Sequence, residues 1–215
     1  MELLTDIEVR VLGSLIEKEI TTPDYYPLSL NALTNACNQS SNRNPVVHFD
    51  EDTVVRATDS LRQKSLLHLV DKSDSRVTKY RHVVYETMNF DRRQIAVMCV
   101  LMLRGPQTVG EIRTRTNRLY DFGSLQEVEM ALNSLMTREP ALVARLSRQA
   151  GQKEVRYAHL LSGEVAAASE SEDEPERVEA AGIDRLSKLE QASEELRQEV
   201  EDLKKQFEQF KKQFD

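Results

Sequence analysis

A short motif that occurs twice constrains the fold of this chain more than any other feature. The motif places a cation, an aromatic ring and a histidine at one spacing: Lys79, Tyr80 and His82, then Arg156, Tyr157 and His159. Similar segments precede both copies, which predicts that residues 1–163 are one module built twice. Each half has about 80 residues, near the lower limit for a self-sufficient core. We therefore predict two linked small domains, 1–88 and 89–163.

Each predicted domain contains three amphipathic helices and then two short strands. The first helices open with capping-box patterns, Thr5-x-x-Glu8 and Asp91-x-x-Gln94, and apolar residues at helical spacing follow both. The remaining helices are predicted at 29–38 and 50–64, then at 108–116 and 124–138; the last two open with Thr108-x-x-Glu111 and Ser124-x-x-Glu127. Apolar runs at 66–70 and 142–146 precede the repeated motif, which reads as a strand. This order is that of a winged helix, so the predicted fold is mostly α with small β hairpins (α+β), as two tandem winged-helix domains.

The first half contains a longer connection than the second, and such loops often carry function. From the start of the first helix to the start of the third there are 45 residues in the first half and 33 in the second. Part of the excess lies in a polar loop with four candidate residues for binding DNA or a protein partner: Asn38, Gln39, Asn42 and Arg43. Their many donors suit an anion or a peptide backbone. Alternatively, they satisfy the loop's own backbone and cap the third helix.

The charge of the chain is divided unequally. Residues 1–163 hold 21 Lys and Arg against 20 Asp and Glu, a net of +1, whereas residues 164–215 hold 8 against 16, a net of −8. Residues 91–163 alone carry 11 against 7, a net of +4, so the second half is the better candidate for meeting a polyanion. Its candidate residues for nucleic-acid or partner binding are Arg113, Arg115, Arg118, Arg148 and Lys153. The alternative is that these are solvated charges paired with nearby carboxylates.

The C-terminal part of the chain has a different composition. Residues 164–182 are rich in Ala, Ser, Glu and Asp, which predicts an acidic flexible linker. A heptad pattern follows in 183–215 and predicts a long coiled-coil helix. The candidate oligomerisation residues are Leu186, Leu189, Leu196, Val200, Leu203, Phe207 and Phe210. We expect a homo-oligomer, with a single helix docked on the body as the alternative.

Several short motifs resemble those of the YceH family of uncharacterised bacterial proteins. They include Glu17-Lys18, Thr21-Thr22-Pro23, Cys37-Asn38-Gln39, Asn42-Arg43, Leu103-Arg104-Gly105 and Leu119-Tyr120. The resemblance implies tandem winged-helix domains and a coiled-coil tail. It implies no reaction, ligand or partner.

The sequence contains no recognisable catalytic pattern. There is no Gly-rich phosphate loop, no nucleophile elbow and no His or Cys pair at metal-ligand spacing. We therefore predict no enzyme activity, no cofactor and no metal, and we expect Cys37 and Cys99 to be buried core residues. No apolar run approaches the roughly 20 residues of a membrane span, and no secretion signal is evident. We expect a cytoplasmic protein with no membrane partner.

Two functional interpretations are retained. Winged helices usually bind DNA through the third helix, which favours a DNA-associated or regulatory protein. The predicted third helices are acidic, however, with carboxylates at 50–52 in one and at Glu127 and Glu129 in the other. Because phosphate contacts dominate DNA affinity, this acidity favours the alternative, a protein-interaction adaptor. We prefer DNA association slightly.

Overall fold

A computed structural model describes residues 2–70, 77–148 and 154–163. The predicted linker at 164–182 and the predicted coiled coil at 183–215 lie outside the described residues. The same holds for the seven candidate oligomerisation residues and for Lys153.

The described residues form helices with small antiparallel sheets, as the α+β prediction requires. The helices of the first half are α1 (Asp6–Thr21), α2 (Leu30–Cys37), α3 (Glu51–Gln63) and the short α4 (Val84–Met88). Its strands are β1 (Leu28–Ser29), β2 (Leu67–Val70) and β3 (Lys79–His82), and a 3-10 turn spans Pro23–Tyr25. The second half contains α5 (Arg92–Arg104), α6 (Val109–Arg115), α7 (Leu125–Met136), β4 (Val143–Arg145) and β5 (Tyr157–His159). The 3-10 turn, β1 and α4 were not predicted, because segments this short show no hydrophobic period.

The two sheets preserve the repeat seen in the sequence. In the first half the strand order is β1-β3-β2, with Leu28 opposite Tyr80. In the second half β4 pairs with β5, and Gln107 forms an isolated bridge with Tyr157. In both halves, therefore, the residue that precedes the N-cap of the second helix pairs with the repeated tyrosine.

Local side-chain hydrogen bonds begin the helices, as predicted. Capping boxes are complete at Thr5, Asp91 and Thr108. At Ser124 the predicted box is incomplete: the hydroxyl accepts from the Glu127 amide, but the Glu127 carboxylate accepts from the Gly123 amide. The Glu127 carboxylate therefore pairs with the backbone amide of Gly123, the residue before the N-cap, and not with the amide of Ser124 itself. Both amides lie at the helix end, where backbone donors lack partners within the helix.

The packing of α1 on α5 joins the two halves. Gly13 lies against Leu103 and Met102, and the Cys99 Sγ lies 3.6 Å from the Gly13 carbonyl oxygen. Buried apolar side chains form one cluster that extends from Leu4 to Leu161. The core therefore continues across residue 88, and the division into two domains stays a prediction. Among the described residues, no helix combines the length and apolar character needed to cross a bilayer.

Both cysteines are buried and free, as predicted. Burial raises the pKa of the Cys37 thiol to about 11, although Ser14, Arg43 and Arg10 partly offset this, and burial also raises the pKa of Cys99. Because the thiolate is the reactive form, we expect neither thiol to react with iodoacetamide at pH 8 in the native protein.

Intact-mass measurement after quenching checks this expectation. The denatured protein serves as the control and should gain two carbamidomethyl groups. Stoichiometric labelling of the native protein within minutes would show that at least one thiol is accessible.

Candidate functional site

The polar loop between α2 and α3 is held by two buried arginines. The Arg43 guanidinium contacts both carboxylate oxygens of Glu17, with Nη2 2.7 Å from Oε2 and Nη1 3.2 Å from Oε1. It also donates to the Ala36 carbonyl oxygen, and its side chain is fully buried. Arg10 donates to the carbonyl oxygens of Cys37, at 3.1 Å, and Pro45, at 2.6 Å. The two ends of the loop are thereby fixed to α1.

Asn38 has a similar internal role. Its amide nitrogen donates to the Phe49 carbonyl oxygen and its amide oxygen accepts from the Phe49 backbone N–H, both at 2.8 Å. The next residue, Asp50, is the N-cap of α3. Of the four predicted loop residues, Asn38 and Arg43 thus satisfy the loop's backbone, Gln39 is partly buried, and Asn42 is exposed.

A pocket of about 70 Å³ lies where the end of α1, the polar loop, α5 and the end of α6 meet. Asn42 lies at its edge, with a positive φ of 59° that asparagine tolerates better than most residues, and its side-chain oxygen accepts from Arg104. The polar side chains on its wall also include Glu17, Lys18, Thr21, Thr22, Arg115 and Arg118. The wall of the pocket therefore contains residues from both halves of the chain.

Positive charge exceeds negative charge in this pocket. Four cations and one carboxylate, that of Glu17, line the pocket, and this carboxylate already pairs with Arg43. Burial, and then the nearby cations of Arg115 and Arg43, lower the pKa of Arg104; Glu17 and Glu111 offset this only in part. An anion in the pocket would relieve this repulsion.

Comparison with known proteins places the chain in a family. Residues 4–152 match the family described as "Protein of unknown function, DUF480". The chain belongs to the DUF480 family. It is 54% identical over 191 residues to a "UPF0502 protein" of Geotalea daltonii, covering 87% of each chain. It is 49% identical over 198 residues to one of Opitutus terrae (92% of this chain, 84% of the relative) and 51% identical over 199 residues to one of Pelobacter propionicus (91% and 90%). These names specify no ligand or reaction, so function must be argued from the residues.

In this DUF480 chain the pocket gathers only some of the predicted site residues. Asn42, Arg115 and Arg118 line it. Arg113 is directed elsewhere, because it donates to the carbonyl oxygens of Phe122 and Gly123 before α7. Arg148 is exposed near the end of β4 and does not line the pocket.

Two pocket cations were not predicted as site residues. Lys18 and Arg104 belong to motifs that carry the family resemblance, Glu17-Lys18 and Leu103-Arg104-Gly105. That resemblance was the only sequence signal available for them. Lys18 and Arg104 line the same pocket only because α1 packs on α5.

In the repeated strand motif the first histidine is packed inside the protein, whereas Lys79 and Tyr80 are partly exposed. The His82 side chain is fully buried, with Nε2 2.9 Å from Oε2 of Glu19 on α1 and Nδ1 accepting from the Val84 amide. The Tyr26 hydroxyl accepts from the His82 backbone amide. In the second copy, burial lowers the pKa of His159 and Asp6 partly opposes this. The described residues contain no group of three or more His, Cys, Asp or Glu arranged to hold a metal ion.

Proposed function

We propose that this protein is a non-enzymatic binding protein with two tandem winged-helix domains, 1–88 and 89–163, that associates with DNA through its second half. The equivalent pairings of Leu28 with Tyr80 and of Gln107 with Tyr157 support the duplication. The resemblance to YceH proteins supports the same architecture. Phosphate contacts, rather than base contacts, account for the proposed binding.

The observation that carries this proposal is the position of cations on the β4 side of the second half. Arg145 and Arg148 are exposed there, and Arg145 lies opposite Tyr157 on β5. The third helix of this half, α7, exposes Leu125, Glu129 and Met130 instead of cations. Such a helix gives no basis for reading bases. We therefore expect weak, sequence-independent binding that depends steeply on salt.

Fluorescence anisotropy of the full chain with a labelled duplex of about 20 base pairs, measured across a salt series, tests this function. Contact with roughly three phosphates gives a slope of log K against log [salt] of about −2.7. The double substitution Arg145→Glu with Arg148→Glu should lower the affinity at least about 10-fold and flatten the slope.

A charge-matched control is available on α3. Arg56 and Arg62 are exposed on this helix of the first half, and reversing both to Glu should leave the affinity within about twofold. Absence of binding by the unaltered protein at about 20 mM salt would end the DNA proposal. Equal losses for the two double variants would show a general effect of net charge and would contradict a contact specific to the second half.

A protein-interaction adaptor is the second candidate, and the surface of α7 favours it. Leu125 is 47% exposed and Met130 is 63% exposed, with the acidic Glu129 beside them. Apolar and acidic groups together suit a protein partner better than a phosphate backbone. If DNA binding fails, we expect Leu125→Ser with Met130→Ser to remove a nuclease-resistant partner from affinity capture, while Arg56→Glu with Arg62→Glu retains it.

Oligomerisation through the C-terminal heptads is part of the same proposal. The seven candidate residues from Leu186 to Phe210 occupy predicted a and d positions of the heptads. Light scattering coupled to size exclusion should give twice the mass of one chain. The substitutions Leu196→Ser with Leu203→Ser should return the mass of one chain, and a single-chain mass for the unaltered protein would contradict the proposal.

A further inference from the structure

The pocket between α1, α5 and α6 has properties that DNA association does not use. Its wall combines Lys18 on α1 with Arg104 on α5, and Arg115 and Arg118 at and after the end of α6. The cations at 145 and 148 that we assign to DNA contact are not part of this wall. The pocket is therefore a separate site that can be tested separately.

The four cations differ in how far they are already paired, and Arg104 donates to the side-chain oxygen of Asn42. Arg115 donates to Glu111 at 3.3 Å, and Arg156 contacts the other oxygen of the same carboxylate at 2.9 Å. Lys18 lies 3.8 Å from Glu17, whose carboxylate is already bidentate with Arg43. Arg118 makes no hydrogen bond or ion pair with any residue that the structure describes, and it is exposed at the pocket.

The threonines on the wall do not supply additional hydrogen-bond donors. Thr21 Oγ1 donates to the Glu17 carbonyl oxygen and Thr22 Oγ1 donates to the Lys18 carbonyl oxygen. Apart from the Asn42 amide nitrogen, recognition would therefore depend on the guanidinium and ammonium groups. Guanidinium groups suit tetrahedral and planar oxyanions because their N–H groups form a fork.

The balance of charge favours a dianion. Lys18, Arg104, Arg115 and Arg118 against Glu17 give the wall a net charge of +3. Just outside the wall lie Arg43, Arg156 and Glu111, whose charges sum to +1 and so do not reduce this excess. A monovalent carboxylate would leave most of this charge uncompensated, whereas a phosphate group near pH 7 carries a charge between −1 and −2.

The size of the pocket limits the ligand to a small group. A single water needs about 10–15 Å³ of such volume, so about 70 Å³ accepts roughly five waters or one phosphate group. A nucleobase would extend beyond this volume. A phosphodiester within a duplex carries a sugar on each side, so two substituents would have to lie outside the pocket, whereas a terminal phosphate has only one to place there.

We propose that this pocket binds a phosphate group with a free end, either inorganic phosphate or the terminal phosphate of a phosphomonoester. The phosphate contacts Arg104 and Arg118 and is surrounded by Lys18 and Arg115. Because α1 belongs to the first half and α5 and α6 to the second, the bound phosphate stabilises the packing of the two halves. The ligand is thus coupled to the fold, since it binds the native state and not the unfolded chain.

Titration of the full chain with sodium phosphate at constant ionic strength, set with chloride, tests the proposal. We expect saturable heat in calorimetry and a rise in Tm of about 5–10 °C at 100 times Kd. Glycerol 3-phosphate should act in the same way, because it presents the same terminal group. Arg118→Gln and Arg104→Gln should each weaken phosphate binding at least about 10-fold.

Arg118→Gln carries the test if Arg104→Gln fails to fold, because Arg118 is exposed and the described residues give it no partner. Arg62→Gln, an exposed arginine on α3, is the matched control and should bind phosphate as the unaltered protein does. No saturable signal up to about 50 mM phosphate overturns the proposal, and so does an equal rise in Tm for all variants, which shows a general salt effect.

Duplex DNA separates this site from the proposed DNA contact. Phosphate binding that persists in Arg145→Glu with Arg148→Glu, and that the duplex does not displace, supports a distinct pocket. Displacement by the duplex assigns the pocket to the nucleic-acid surface and overturns the claim of a free phosphate end. Failure of DNA binding leaves the phosphate result unaffected.

Discussion

Replacing Arg43 by alanine lowers the free energy of unfolding by about 3–5 kcal/mol, the usual loss when one partner of a buried ion pair is removed. The Arg43 side chain is fully buried with Nη2 2.7 Å from Glu17 Oε2, and Glu17 is itself only 12% exposed. The substitution leaves the Glu17 carboxylate and the Ala36 carbonyl oxygen without this donor. Urea denaturation followed by circular dichroism at pH 7 measures the change.

An exposed arginine provides the matched control for this substitution. Arg62 pairs with Asp59 at 3.2 Å on the surface of α3, where both side chains are about half exposed. Arg62→Ala should change stability by no more than about 0.5–1 kcal/mol, because exposed pairs contribute little. A loss below about 1 kcal/mol for Arg43→Ala would show that the pair with Glu17 does not anchor the loop.

A double substitution keeps this prediction testable if Arg43→Ala does not fold. Removing both charges, as Glu17→Gln with Arg43→Met, should be less destabilising than the sum of the single substitutions, since no unpaired buried charge remains.

Binding by the loop is better tested at Asn42. Asn42→Gly removes the side-chain amide and tolerates the positive φ.

Introducing valine at Gly13 should lower the free energy of unfolding by about 2–3 kcal/mol. A Cβ added there would lie 3.0 Å from Leu103 Cδ2, 3.1 Å from Leu103 Cγ and 3.2 Å from Met102 Cβ. These distances are shorter than ordinary van der Waals contact, so α1 and α5 must separate or the side chains must leave their rotamers. Chemical denaturation and Tm both report the loss.

Gly110 is the matched control, because it is a helical glycine with open space around it. A Cβ there meets only Thr108 Oγ1, at 4.0 Å. Gly110→Ala should raise the free energy of unfolding by about 0.5–1 kcal/mol through helix propensity. Leu103→Ala should recover part of the loss in the Gly13→Val background. A neutral Gly13→Val would mean that α1 and α5 lie farther apart than described.

The helix starts could be read from the sequence because capping is local. Thr5, Asp91 and Thr108 each bond to a backbone amide three residues ahead, so all the relevant atoms lie within one turn. The prediction at Ser124 missed one bond. A glutamate side chain is long enough to reach either Ser124 or Gly123, and the spacing alone does not choose between their amides.

In the polar loop, the sequence indicates the hydrogen-bond donors but not their partners. The residue types of Asn38 and Arg43 predict hydrogen-bond donors with two alternative uses, external binding and satisfaction of the loop's backbone. The structure directs Asn38 to Phe49 and Arg43 to Glu17. A list of donors does not show whether their acceptors lie inside or outside the protein, because that depends on where the loop crosses α1.

The sequence by itself determined the order of the longer helices and of the strands β2 to β5, and the unequal loop lengths, because hydrophobic periods and caps act over a few residues. Only the tertiary structure decided which side chains meet at the pocket. Asn42 and Arg104 are separated by 62 positions, and Arg43 and Glu17 by 26. The first contact requires the close approach of α1 and α5 at Gly13, and the second requires the loop to cross α1. No local pattern encodes either arrangement.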